Sequence, residues 1–128
     1  MPSSCYRLKI VTDFAAAHTL RNYDGPCSRM HGHNWKLEAE VTATALDEAG
    51  MVLDFKDVRQ TAQAVIEKLD HQYLNDIEPF NRLNPTAENI AAYVFRGMAE
   101  RLNNERIRVA AVTIWETERA CVRYSEED

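Results

Sequence analysis

Residues 34–45 alternate between apolar and polar positions. Trp35, Leu37, Ala39, Val41 and Ala43 are apolar, and Lys36, Glu38, Glu40, Thr42 and Thr44 lie between them. Side chains two apart share one face of a strand, so the stretch reads as a half-buried antiparallel strand with one wet or lightly covered face. Such a strand needs partners and a cover, and the rest of the chain must supply both.

Tyr6, Leu8 and Ile10 alternate with Arg7 and Lys9, which predicts a first strand over 6–12 that runs on toward His18. After Glu48-Ala49-Gly50 the period changes. Val58, Ala62, Val65, Ile66 and Leu69 fall at helical spacing behind Asp54, an N-cap residue, predicting a helix over 55–69. A second helix starts at Thr86, also an N-cap. Its apolar stripe is Ile90, Ala91, Val94, Met98 and Leu102, and it ends at Asn103-Asn104. Residues 107–115 and 120–124 read as a hairpin turning through 116–119. Two strands, two helices and two strands make an α+β domain, with the helices on one face of an antiparallel sheet.

The 128 residues, 45% hydrophobic, predict a single domain spanning 1–128; a chain of this length hides roughly two-thirds of its unfolded surface around one core. No run approaches the roughly 18 apolar residues of a membrane span, and no secretion signal opens the sequence, so the expectation is a cytoplasmic protein with no membrane partner. Cys5, Cys27 and Cys121 are an odd number without a CxxC pair, which suits free thiols in a reducing compartment. Cys5 and Cys121 are expected to be ordinary buried or half-buried thiols. The net charge of −5 argues against nucleic-acid binding. Even so, residues 1–36 carry Arg7, Lys9, Arg21, Arg29 and Lys36 against only Asp13 and Asp24. That segment is either scattered surface charge or a region that attracts a small anion. The tail, residues 126–128, is expected to be solvated.

His31-Gly32-His33 sets two imidazoles on one side of an extended backbone, and His18 ends the preceding strand, where an antiparallel return would bring it beside the pair. Three neutral imidazoles suit zinc and leave one tetrahedral position open, the pattern of catalytic zinc. From spacing alone, ordinary surface histidines are an equal alternative. Cys27 could close the site as a fourth ligand. It could also act as a thiolate base or nucleophile beside the metal and Arg29, or be an inert small hydrophobe. His71 follows Asp70 at the expected end of the first helix, as a helix cap or as a group that moves protons near neutral pH.

Six motifs, in order, resemble the 6-pyruvoyl-tetrahydropterin synthase superfamily, most closely its 6-carboxy-tetrahydropterin synthase branch. They are Phe14-Ala15-Ala16-Ala17-His18, Cys27-x-x-x-His31-Gly32-His33, Leu53-Asp54-Phe55, Leu69-Asp70-His71-Gln72-Tyr73-Leu74-Asn75, Asn84-Pro85-Thr86-Ala87-Glu88-Asn89, and Trp115-Glu116-Thr117 with Tyr124. The resemblance covers nearly the whole chain. It implies the tunnelling fold: a four-stranded antiparallel sheet, ββααββ, backed by two antiparallel helices and trimerising into a β-barrel. Trimers commonly pair into homohexamers, and active sites lie at subunit interfaces.

The same resemblance implies a zinc-dependent lyase acting on 7,8-dihydroneopterin triphosphate. Zinc would be held by His18, His31 and His33. Cys27 would be the general base, and His71, oriented by Asp70, would carry the second proton. Glu116 would accept the paired donors of the pterin edge, although by itself it reads as a solvent-exposed turn residue. Thr86 and Glu88 would line the pocket, although capping explains Thr86 equally well. Arg21, Arg29 and Lys36 are candidates for meeting the triphosphate. Three residues separate Cys27 from His31, as in the carboxy branch, whose products are 6-carboxy-tetrahydropterin, acetaldehyde and triphosphate on the route to queuosine. The biopterin-forming branch typically has five, so the 6-pyruvoyl product is the alternative. A zinc-hydroxide hydrolase and a non-catalytic zinc or pterin module are more distant readings.

Overall fold

The computed structural model describes residues 4–126. Strand β1 (Tyr6–His18) pairs antiparallel with β2 (His31–Ala43), from Tyr6 opposite Ala43 to His18 opposite His31. The chain then forms helix α1 (Phe55–Ile66), a two-residue strand β3 (Gln72–Tyr73), helix α2 (Ala87–Leu102), and the hairpin β4 (Ile107–Thr117) and β5 (Ala120–Tyr124). The sheet order is β3-β1-β2-β4-β5.

The four long antiparallel strands and two helices match the expected architecture, with β3 as an addition. It lies parallel to β1 at Ala16 and Ala17, a pairing too short to carry a periodic signal. The expected helix over 55–69 stops at Ile66. Leu69 is still buried, but in the turn that follows. Asp54 caps α1 through Lys56 N at 2.8 Å, and Thr86 caps α2 through Asn89 N at 3.1 Å. Removing such a cap costs about 1 kcal/mol.

The apolar stripe of β2 (Trp35, Leu37, Ala39, Val41) is fully buried with Val58 and Ala62 of α1 and Ile90, Val94 and Met98 of α2. Each of the Leu, Val, Ile and Met side chains among them contributes about 1.5–3 kcal/mol by leaving water. Gly97 lets the helices approach, because a Cβ there would stand 2.9 Å from Val65 Cγ1.

The opposite sheet face is less wet than its polar residues suggest. Glu40 is buried and held by Arg7 at 3.2 Å and Arg123 at 3.0 Å. The Arg123 hydrogen bonds keep the Glu40 carboxyl below its usual range, although burial pushes it up. Cys5 and Cys121 are exposed rather than buried, because both fall where the sheet edge and its bare face meet solvent. Glu126 is exposed and bonds Arg96 and Tyr124; residues 127–128 of the expected tail lie outside the described residues. Among the described residues, no helix is long and apolar enough to cross a membrane.

Candidate metal centre

The histidines lie where the two core stripes run past the helices. Phe14, Ala16 and His18 follow one another at period two on β1, as do Trp35, His33 and His31 on β2. All five non-alanine rings thus share the helix-covered side of the sheet. His18 is fully buried, and its ring centroid lies 4.4 Å from His31 and 5.3 Å from His33. Trp35 packs edge-on against both His18 and His33, at 5.0 and 5.1 Å, and donates its indole N–H to Ala16 O.

The backbone orients two of the three rings. His18 Nδ1 lies 2.7 Å from Pro85 O, just before α2, and His31 Nδ1 lies 2.7 Å from Arg29 O. A carbonyl can only accept, so in both rings Nδ1 carries the hydrogen and Nε2 is free to ligate. His18 Nε2 and His33 Nε2 are buried without a hydrogen-bond partner. Desolvation lowers the pKa of both His18 and His33, outweighing the opposing pull of Glu116. Neutral imidazoles with unpartnered buried nitrogens are the donor set a divalent metal requires, so the residues fit such an ion.

Glu116 belongs to this group. One donor atom each from His18, His31, His33 and Glu116 lie within 4.8 Å of one another. Glu116 sits in strand β4, not in the turn where its sequence context put it. The β4–β5 register passes from Trp115 opposite Cys121 to Thr117 opposite Ala120, which leaves Glu116 as an extra, bulged residue. Bulges re-aim side chains, and no local composition signals this one. Its Oε1 stands 3.1 Å from His33 Nε2 and 3.5 Å from His18 Nε2.

The other expected site residues lie around this group. Cys27 is half-buried in a short turn (Pro26–Ser28), its carbonyl accepting from Leu20 N at 3.1 Å. It is absent from the ligand group, so the closed site of three histidines and Cys27 is not the arrangement the fold builds. Asp70 accepts from Ala15 N and lies 2.9 Å from His71 Nδ1; the Ala15 hydrogen bond is the main cause of its lowered pKa. His71 stands beyond the helix, at φ 61, rather than capping it, and its side chain is 80% exposed. His33 and His71 border one open depression of about 520 Å³. Thr86 uses its hydroxyl as the α2 cap, and Glu88 is exposed in the first turn.

Arg21, a candidate for the triphosphate, is also tied to the fold. Its guanidinium donates to Phe80 O at 2.8 Å, and its backbone forms a reciprocal pair with the Asn84 amide. Asn75 makes the same two-way bond with Thr19. These amides staple the segment after His18 to the segment leading into α2, and so hold Pro85 O against His18. Both stand in the family motifs, but nothing local announced their task, because their partners are backbone groups about 55 to 65 positions away in the chain.

The family model described as 6-pyruvoyl tetrahydropterin synthase matches residues 7–127. A 6-carboxy-5,6,7,8-tetrahydropterin synthase of Synechocystis is 37% identical over 92 residues, covering 68% of this chain and 70% of the relative. One of Haemophilus influenzae is 27% identical, covering 88% and 94%. Among solved structures, the 6-pyruvoyl tetrahydropterin synthase of Caenorhabditis elegans superposes with a TM-score of 0.86 over 99% of both chains, at 26% identity.

Proposed function

The chain belongs to the 6-pyruvoyl tetrahydropterin synthase family, and from that premise we propose that it is a zinc-dependent 6-carboxy-tetrahydropterin synthase. It consumes 7,8-dihydroneopterin triphosphate and one water, and its products are 6-carboxy-tetrahydropterin, acetaldehyde and triphosphate, in the cytoplasm and on the route to queuosine. The observation that carries the reading is the convergence of His18, His31 and His33, with two Nδ1 atoms bound to carbonyls and two buried Nε2 atoms lacking partners.

His18, His31 and His33 hold the metal, which when bound supplies a Lewis acid for the substrate's side-chain oxygens. Cys27 removes a side-chain proton. His71, kept in place by Asp70, delivers or receives the second. Glu116 takes the amino and ring N–H donors of the pterin edge as a bidentate acceptor, and Thr86 and Glu88 line the approach. The whole chain, 1–128, acts as one domain.

The exposure of His71 supports a site completed by a second copy, in a trimer or a dimer of trimers. A corner that presents an imidazole outward, while its carboxylate is bound to Ala15 N, is suited to a neighbour's ligand group.

The 6-pyruvoyl product remains the alternative, favoured by the name of the Caenorhabditis elegans structure. Incubating the zinc-loaded protein with 7,8-dihydroneopterin triphosphate separates the two. Stoichiometric acetaldehyde is expected; triphosphate release with a pyruvoyl product and no acetaldehyde would overturn the carboxy assignment.

A further inference from the structure

Glu116 and the imidazoles meet in a way that two acceptors would avoid. His18 and His31 carry their hydrogens on Nδ1, because Pro85 O and Arg29 O can only accept. His18 Nε2 therefore presents a lone pair, and Glu116 Oε1 faces it at 3.5 Å and His33 Nε2 at 3.1 Å. Despite these distances, neither nitrogen has hydrogen-bond geometry to the carboxylate. At His18 the two lone pairs repel unless a cation lies between them, whereas no carbonyl fixes the tautomer of His33. Two atoms bound to one zinc at tetrahedral angles, with bonds near 2.0–2.1 Å, stand about 3.3 Å apart; the two observed separations bracket that value.

We propose that Glu116 is the fourth protein ligand of the resting metal centre and that substrate displaces it. The inference rests on the reading of His18, His31 and His33 as metal ligands. It assigns Glu116 a second task that excludes the first, because one carboxylate cannot hold the metal and the pterin edge together. Binding of the ring and opening of the metal thereby become a single event.

The bulge suits an exchangeable ligand. Glu116 is the extra residue of the β4–β5 register, so its side chain can swing without breaking a strand pair. It is also the more exposed partner, at 28% of its side chain against 1% for His18. The histidines lack this freedom, since His18 and His31 are tied to carbonyls and Trp35 packs on His18 and His33.

The test uses the full chain loaded with Co²⁺ and titrated with azide, followed by visible absorption. Wild type without pterin is expected to show little spectral change, because no coordination position is open. Glu116→Ala is expected to bind azide at least about tenfold more tightly and to lose about 10- to 100-fold in metal affinity. Glu116→Gln, which keeps the side-chain volume, should follow it. Equal azide affinity in wild type and both variants, with unchanged metal affinity, would overturn the proposal while leaving the histidine site intact. A wild-type chain that takes up no stoichiometric Co²⁺ would remove the metal centre and this inference with it.

Discussion

His33 of the histidine group and His71 of the Asp70–His71 corner border the same depression, yet the two regions are built in opposite ways. The histidines come from paired strands β1 and β2, at the end of a continuous core stripe. Their rings are buried or half-buried, and two of the three are aimed by backbone carbonyls. The Asp70–His71 corner lies in a turn, at a positive φ, with one side-chain hydrogen bond back to β1. The first gathers, within one chain, a group of donors that could hold a metal ion. The second stands open, with the His71 side chain 80% exposed. A single fold can thus converge one set of donors inside the chain while leaving another pair of titratable groups turned outward.

The sharpest way to break this comparison is to remove a ligand. His31→Ala is expected to abolish stoichiometric zinc, measured by elemental analysis of the purified protein, while circular dichroism stays native. Full zinc retention would reject the ligand set. His71→Ala should do the converse, leaving zinc content and melting temperature unchanged and lowering turnover about 10²- to 10⁴-fold, the usual size of a lost general acid or base. If zinc fell as well, the two regions would be one unit.

Thr86→Ala tests whether the α2 cap reaches the metal. It should cost about 1 kcal/mol in urea unfolding and weaken zinc binding, because Pro85, whose carbonyl orients His18, directly precedes the cap. A stability loss with unchanged zinc affinity would confine Thr86 to the helix.

The smallest effect concerns Asp70. Its folded pKa lies below the ordinary 3.8, chiefly because Ala15 N donates to it. The ionised carboxylate therefore stabilises the fold fully above that value, and the contribution fades as pH falls through the lower folded one. Asp70→Asn should narrow the stability gap from wild type only in that acid window. A gap equally wide at pH 3 and pH 7 would mean that charge is not what holds the corner.

Much of this was legible along the chain. The apolar alternation of β2, both helix caps and, apart from Leu69, the two apolar helix stripes stand as read, since each depends on neighbours within a turn or a strand. His18, His31 and His33 could be listed together because period two continues the core stripe into them. Glu116 was harder. Its place beside the histidines depends on a bulge, which is a mismatch between two strands and has no trace in either alone. The exposure of Cys5 and Cys121 has no local signal for a similar reason, because burial of a small thiol depends on what lies across the sheet.

The sequence by itself determined the periodicities, the caps, the donor types and the family, all properties of residue identity and short spacing. Only the tertiary structure decided which acceptors orient the imidazoles, which carboxylate joins them, and that Arg21 ties down the loop. Those choices rest on backbone groups brought together from distant positions, and a carbonyl such as Pro85 O has the same identity in every sequence. Its role is defined only by where the fold puts it.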